Sequence, residues 1–364
     1  MERWVYMDLK RGGELHSGSE LWNAFVTAGM EGRNNYSLPR QEASLIQSAN
    51  TIKTLSDLFG KCSVITDFGS GGAFAVKEKA MPIVKGLPNI KIYSPLDLSK
   101  MMLFDQAAKA ANDDLKGFSR EISVQPYHAD FSTMRMQDSG DPIRLPGNQS
   151  CRRLGLFFGS TVTNQEMDIG AEFPRGEIVA EIAKLGDILN NGSRTGPLQA
   201  QHGLVIGYDS NLDPQSASTI YDDVGDVKIW APLITGVMFD IKNVLDPQPF
   251  KKNNGGFDPQ GWHHEKVVEQ GPPLYPEKPD GPPQFIVVHQ CVVADKDQDF
   301  KLVSEHGEIR RFDIKEGQKF VIKNNFKFHP DFLRQLTREA RFNPLNPIRQ
   351  EGNSMILQPL EVSH

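Results

Sequence analysis

The chain has 364 residues, 38% of them hydrophobic and 24% charged, with a formal net charge of −6. That is the balance of a globular protein long enough for two domains, and its acidic excess argues against nucleic acid or an anionic membrane surface as partner. No stretch approaches the ~18 apolar residues of a spanning helix and the N-terminus lacks the apolar run of a signal peptide, so a cytoplasmic location is expected. Cys62, Cys151 and Cys291 lie far apart in sequence and read as reduced thiols, the first and last of them buried.

Residues 1–50 read as polar and helical, with an amphipathic start at Ser19–Phe25, a loop at Tyr36–Arg40 and a helix from Gln41 to Leu58. From 62 to about 210, strands (62–67, 90–96, 122–127, 153–158, 203–208) alternate with helices (near 75–85, 99–116 and 172–190). This alternation predicts an α/β fold with a doubly wound parallel sheet. Such sheets bind ligands at the carboxyl ends of their strands, and Asp67, Asp97, Asp130 and Gly159 all fall there.

After residue 210 the texture changes. Pro214–Asp246 reads as two helices, and the proline-rich segment 271–283 as a surface loop or insertion, since proline holds neither a helix interior nor a central strand. Runs at 284–294, 300–303 and 319–328 suggest an antiparallel sheet in a smaller α+β domain. A helix (330–341) and a last strand (354–360) would return to the first sheet. The expected division is a cofactor domain, 51–210 plus 327–364, and a substrate-binding domain, 1–50 plus 211–326.

Asp67-Phe68-Gly69-Ser70-Gly71-Gly72 follows the first buried strand, and Asp97 ends the next one. The glycines let a nucleotide-like ligand lie against the backbone, and a carboxylate at Asp97 can accept both ribose hydroxyls. The turn fits a nicotinamide enzyme or an S-adenosylmethionine (SAM) methyltransferase. The nicotinamide pattern wants a third glycine for close helix–strand packing; Ala75 or Val76 stands there, which favours SAM.

Further along, Gly155-Leu156-Phe157-Phe158-Gly159-Ser160-Thr161-Val162-Thr163-Asn164 resembles the strand-four signature of the histidine Nα-methyltransferases of ergothioneine biosynthesis and their relatives that methylate other amino acids, including tryptophan derivatives. Gly18–Trp22, Tyr36–Glu42, Asp67–Gly71, Pro95–Ser99, Ala129–Phe131, Val205–Asp209, Tyr221–Asp223 and Gly256–Pro259 are similar to family segments in the same order. The resemblance implies an enzyme of class I methyltransferase fold that uses SAM. By position it implies that Gly69, Ser70 and Gly71 line the methionine part of the cofactor, Asp97 the ribose, and Asp130 with Phe131 the adenine. It implies that Gly159 and Asn164 border the transferred methyl group and hold the substrate amine or carboxylate. Tyr36 and Tyr221 would donate to a substrate carboxylate.

The departures concern substrate. Where the family has a tyrosine covering the cofactor, this chain has Glu14–Ser17, and the lysine expected after the Gly-rich loop is Ala75 or Val76, with Lys77 nearby. The Glu and Ser that hold the imidazole in histidine enzymes correspond to Lys323 and Asn325, and a Met to Val288. A lysine cannot accept from an imidazole N–H. The expectation is therefore N-methylation of a small amino acid or derived metabolite in secondary metabolism, aromatic rather than histidine, by a monomer or weak homo-oligomer. A non-catalytic SAM-binding or scaffold protein and a nicotinamide-dependent oxidoreductase are the alternatives. His263-His264-Glu265 is not expected to bind metal, since adjacent histidines face apart. Trp230 and Trp262 read as packing residues, and Asp222-Asp223 as an acidic pair at a helix start.

Overall fold

The computed structural model describes residues 18–147, 151–159, 166–190, 202–222, 257–258, 260–303 and 309–363. Its strands are β1 (Val64–Phe68), β2 (Ile92–Asp97), β3 (Ser123–Val124), β4 (Tyr127–Asp130), β5 (Arg135–Met136), β6 (Arg153–Phe157), β7 (Gly203–Asp209), β8 (Trp262–Gln270), β9 (Phe285–Ala294), β10 (Gln298–Val303), β11 (Ile309–Ile314), β12 (Lys319–Phe328), β13 (Phe342–Pro344) and β14 (Met355–Val362). Nine of them form one sheet in the order β13-β14-β7-β6-β1-β2-β4-β5, with β3 beside β2. β7, β6, β1, β2 and β4 run parallel, and β14 returns antiparallel against β7. Every residue of β1, β6 and β7 is buried, as continuous apolar runs covered on both faces require.

Helices cover the two faces: α1 (Gly18–Met30), α2 (Leu38–Gln47), α3 (Ala49–Phe59), α4 (Ala73–Ala75, a π-helical turn Val76–Ala80, then Met81–Gly86), α5 (π-helical Met102–Ala108, then Lys109–Leu115), α6 (Arg175–Leu189), α7 (Pro214–Thr219) and α8 (Pro330–Glu339). α6 and α8 supply one core, with Ile178, Ile182, Leu333 and Leu336. α2 to α5 supply the other, with Leu45, Leu55, Ile83 and Ala107. The helix expected over Gln41–Leu58 is two helices. Ser48 takes an extended conformation between them, and its hydroxyl accepts from Thr51 N–H as the cap of α3, the role serine fills best at a helix start.

β8, β9 and β12 form a separate antiparallel sheet, and β10 with β11 a hairpin. β8 was not expected as a strand: its His, Glu and Lys residues are mostly half-buried, so the apolar alternation that marks a strand is missing. Segment 271–283 lies at the surface, as expected. It continues the β8–β9 hairpin, with Leu274 N–H donating to Pro282 O and Gln284 N–H to Pro272 O.

In the small sheet, β9 and most of β12 are buried on both faces. Phe285, Val287, Phe326 and Phe328 enter the core shared with the large sheet, while Ile286, Val288 and Ile322 enter a third core with Phe25, Tyr36 and Tyr221. Successive side chains of a strand point to opposite faces, so β9 and β12 each serve two cores. At the seam, Phe173 stacks on Phe285 at 4.4 Å between centroids and meets Phe326 edge-on at 5.6 Å. Phe326 is wholly buried, so Phe326→Ala should cost about 3–5 kcal/mol in urea denaturation; a loss below ~1 kcal/mol would show that the seam collapses freely around the missing ring.

Candidate active site

β1 runs into the turn at Gly69–Gly72, with Gly69 at φ 67° and Gly71 at φ 65°. Both values lie in the left-handed region that side-chain-bearing residues avoid. The turn is tied to the end of β2. Gly69 N–H donates to Leu96 O at 2.8 Å, and Gly71 N–H donates to Asp97 Oδ2 at 2.9 Å. Asp97 Oδ1 accepts from Ser99 N–H, also at 2.9 Å. Ser70 Oγ is buried in the turn without a hydrogen-bond partner, a polar atom of the kind a bound polar molecule satisfies.

Behind the turn, Asp67 accepts from Tyr93 Oη at 2.8 Å. Burial pushes its pKa up to about 7, opposed by the Tyr93 bond and the nearby charge of Lys79. On the next strand end, Asp130 Oδ1 accepts from Ser132 N–H and Oγ at 2.9 and 2.6 Å. Phe131 packs edge-on against Phe68 and Phe157. The rim expected from strand order is thus assembled: Gly69, Ser70, Gly71, Asp97, Asp130, Phe131 and Gly159 sit at the carboxyl ends of neighbouring strands β1, β2, β4 and β6.

The sequence motifs assign no role to Glu42. It lies on α2, wholly buried, with Lys79 Nζ 2.6 Å from its carboxylate. The same carboxylate accepts Gly159 N–H at 3.0 and 3.2 Å. Gly159 therefore has its N–H committed to Glu42. Lys79, on the helix after the Gly-rich loop, is buried, whereas Lys77 is exposed. Asn164 lies outside the described residues.

Cross-strand register aligns the remaining candidates. Lys323 pairs with Gln290, Asn325 with Val288 and Lys327 with Ile286, so all six share one face of the small sheet. A bulge between Val321 and Lys323 sets this phase, as an extra residue does in a ladder. The face meets an aromatic row. Lys323 Nζ lies 3.8 Å from the centroid of Trp22. Trp22 meets Tyr36 edge-on at 5.9 Å, and Tyr36 lies 5.6 Å from Tyr221. Lys323 is 2% exposed, which excludes a solvated strand residue. Burial holds both phenols well above their ordinary pKa, so Tyr36 and Tyr221 remain hydrogen-bond donors. Asn325 Oδ1 accepts from Gln290 Nε2 at 3.0 Å, and Gln290 Oε1 from His264 Nε2 at 2.8 Å.

The opposite face carries a second polar set. His289 lies between Asn324 Oδ1 (2.6 Å) and Glu269 Oε2 (3.1 Å). Asn324 Nδ2 donates to Met167 O, and Glu269 Oε1 accepts from Gly170 N–H, both at 2.9 Å. His263 is taken up by Asp295 and Glu265, and no group of three metal-ligating side chains occurs among the described residues. Trp262 packs on Phe257 and Phe320, as expected; Trp230 lies outside the described residues. Asp222 follows α7 and pairs with Lys266, while Asp223 also lies outside. None of the three cysteines is in a disulfide, and burial pushes Cys62 up to about 12 and Cys291 to about 11. No described helix is long and apolar enough to cross a membrane.

A doubly wound sheet with a left-handed glycine turn, a carboxylate at the end of β2 and a second acid at the end of β4 is the frame of a class I SAM-dependent methyltransferase, and this protein is such an enzyme. The chain belongs to the family described as "Histidine-specific methyltransferase, SAM-dependent", whose model matches residues 15–361. Its cofactor is SAM. Among solved structures it is similar to the 1,6-didemethyltoxoflavin-N1-methyltransferase of Burkholderia thailandensis, with 10% identity over 94% of this chain and 88% of that one and a TM-score of 0.38. It is also similar to a sugar N-methyltransferase of Streptoalloteichus sp ATCC 53650, with 12% identity, 96% and 95% coverage, and TM-score 0.36. A third is the magnesium protoporphyrin IX methyltransferase of Synechocystis PCC 6803, with 10% identity, 99% and 92% coverage, and TM-score 0.35. No curated protein matches the chain.

The raised pKa of Asp67 has two signed consequences. The native state keeps a proton that the unfolded chain loses near the ordinary carboxylate value, so the Asp67 contribution to stability is present at low pH and is lost as pH rises towards about 7. A cationic ligand at the adjacent turn favours the ionised form, so SAM affinity should rise several-fold, up to about tenfold, from pH 6 to 8 with proton release. Calorimetry in buffers of different ionisation heat checks this. Asp67→Asn should flatten the profile, and a wild-type profile already flat across that window would rule Asp67 out.

Proposed function

We propose that the enzyme transfers the methyl group to the amine of a small amino acid or amino-acid-derived metabolite, with an aromatic side chain favoured over imidazole. Lys323 carries this reading: it is a buried ammonium on the sheet face that meets Trp22 and Tyr36. An imidazole N–H needs an acceptor and a lysine has none. Val288 in place of a longer side chain leaves room for a larger ring, and an acidic group on that ring would suit Lys323.

In this reading Gly69, Ser70, Gly71, Asp97, Asp130 and Phe131 hold the cofactor, which supplies an electrophilic methyl group. Tyr36 and Tyr221 donate to the substrate carboxylate. Asn164 and the Gly159 carbonyl orient the amine, while Lys323, Asn325 and Val288 bound its side chain. The parts 1–50 and 211–326 form the substrate side, and 51–210 with 327–364 the cofactor side. The amine must attack as a neutral lone pair; a free α-amine, with a pKa of about 7.7–8.0, is partly neutral near pH 8, and a nearby ammonium lowers that value. Alignment of amine and methyl is worth up to about 7–11 kcal/mol, and excluded water leaves the amine unsolvated.

The first test is a mass-spectrometric screen of free amino acids and aromatic amines with SAM, reading S-adenosylhomocysteine and methylated product. A methylated aromatic amino acid with histidine untouched is expected. Methylated histidine, the substrate in the family's description, would overturn the reading of Lys323. With the acceptor in hand, Tyr36→Phe and Tyr221→Phe should each raise its KM about tenfold and leave the Kd for SAM unchanged; equal effects on both would remove the tyrosines from the substrate.

A further inference from the structure

Lys327 on β12 and Asp209 at the end of β7 are both wholly buried, with Nζ and Oδ2 2.8 Å apart. They meet as an ion pair without the alignment of a hydrogen bond at Oδ2, while Oδ1 accepts from Asn211 N–H at 3.0 Å. The pair bridges the small sheet and the carboxyl rim of the large one. Lys327 Nζ also donates to Tyr221 Oη at 3.0 Å and lies 5.1 Å from the centre of that ring.

A buried ion pair is a poor device for stability. Desolvating both charges consumes most of their attraction, and apolar replacements of similar volume are often as stable. Its effect on Tyr221 is more specific. An ammonium has donors only, so the phenol oxygen accepts from Lys327, and the phenol hydrogen is given to something else. A bond from a cation also polarises that O–H and strengthens it as a donor. Burial, with the charge of Asp209 added, keeps the phenol protonated.

We propose that Lys327 and Asp209 are positioning residues that fix Tyr221 as a one-way hydrogen-bond donor, so that the group it meets is an acceptor, best an oxyanion. The inference rests on the reading of Tyr221 as a substrate contact. It assigns to the pair the preference of the site for a carboxylate-bearing acceptor over the same amine without the carboxylate.

Lys327→Met alone strands a buried carboxylate and is expected to fold poorly. The double variant Lys327→Met with Asp209→Leu removes both charges and keeps the fold testable. Titrate L-tryptophan against tryptamine, and L-histidine against histamine, into protein saturated with S-adenosylhomocysteine. In the wild type the acids should bind at least ~10-fold more tightly than their amines, a ratio that collapses in the double variant while the Kd for S-adenosylhomocysteine stays within about twofold. Tyr221→Phe should weaken acid binding about tenfold in the wild type and by less than ~3-fold in the double variant, since the two changes remove one interaction. Independent, multiplying effects, or an equal loss for acid and amine, would reduce the pair to a structural pin and overturn the proposal. Acids that bind with the expected ratio yet accept no methyl would fail the functional reading alone. A wild type that binds none of the four compounds would overturn both.

Discussion

A carboxylate with no access to water must be neutralised where it stands, and Glu42 imposes that condition on three parts of the chain at once. It sits on α2, takes its cation from α4 just beyond the Gly-rich turn, and takes a backbone N–H from Gly159 at the end of β6. Gly207 on β7 has to be glycine, because a Cβ there would come 1.9 Å from Glu42 Oε1. The neighbouring Gln41 accepts from Ser354 N–H, and its carbonyl accepts from Asn353, which fixes the approach of β14. Tyr36, at the entrance to α2, is thereby registered against the carboxyl rim of the large sheet. Moving α2 would leave both a buried carboxylate and a buried ammonium without partners.

The small sheet solves a different problem with the same economy. A strand buried on both faces usually reads as an unbroken apolar run, but β12 alternates Lys323, Asn325 and Lys327 with Asn324, Phe326 and Phe328. The phenylalanine face is welded to the large sheet through Phe173 and Phe332. The polar face is thereby presented to the aromatic row of Trp22, Tyr36 and Tyr221. The rigidity of one face is what makes the geometry of the other dependable, since groups that bind and orient must be held by packing that does not yield.

The large sheet was legible because its signal is local: buried runs, glycine turns and acids at strand ends follow one another at βα spacing. Strand order after residue 210 was harder. β8 hides behind half-buried charges, and the break at Ser48 turns on one capping hydroxyl inside an otherwise continuous helical pattern. The buried charges did leave a trace. Glu42 falls on the stripe of Leu38, Leu45 and Ile46, and Lys79 on that of Val76 and Ile83, positions three and four residues apart where a helix turns one face inward. A charge on such a stripe announces a buried pair. Its partner lies 37 residues away for Glu42 and 118 for Lys327, a distance that no periodicity spans.

Methyl transfer from a sulfonium to an amine moves a positive charge from sulfur to nitrogen; it creates none. A site for this reaction gains little from an oxyanion hole or a strong base beside the reacting atoms, because no charge builds up that they would stabilise more in the transition state than before it. What it requires is fixed distance, exclusion of water and a loss of the amine proton that precedes the step. The buried charges here meet that requirement by being self-compensated, Glu42 with Lys79 and Asp209 with Lys327, and the two phenols by staying protonated. Such groups hold geometry without competing for the migrating charge; under the proposed assignment, orientation and desolvation carry the catalytic work, and the side-chain end of the site around Lys323 decides which amine is admitted.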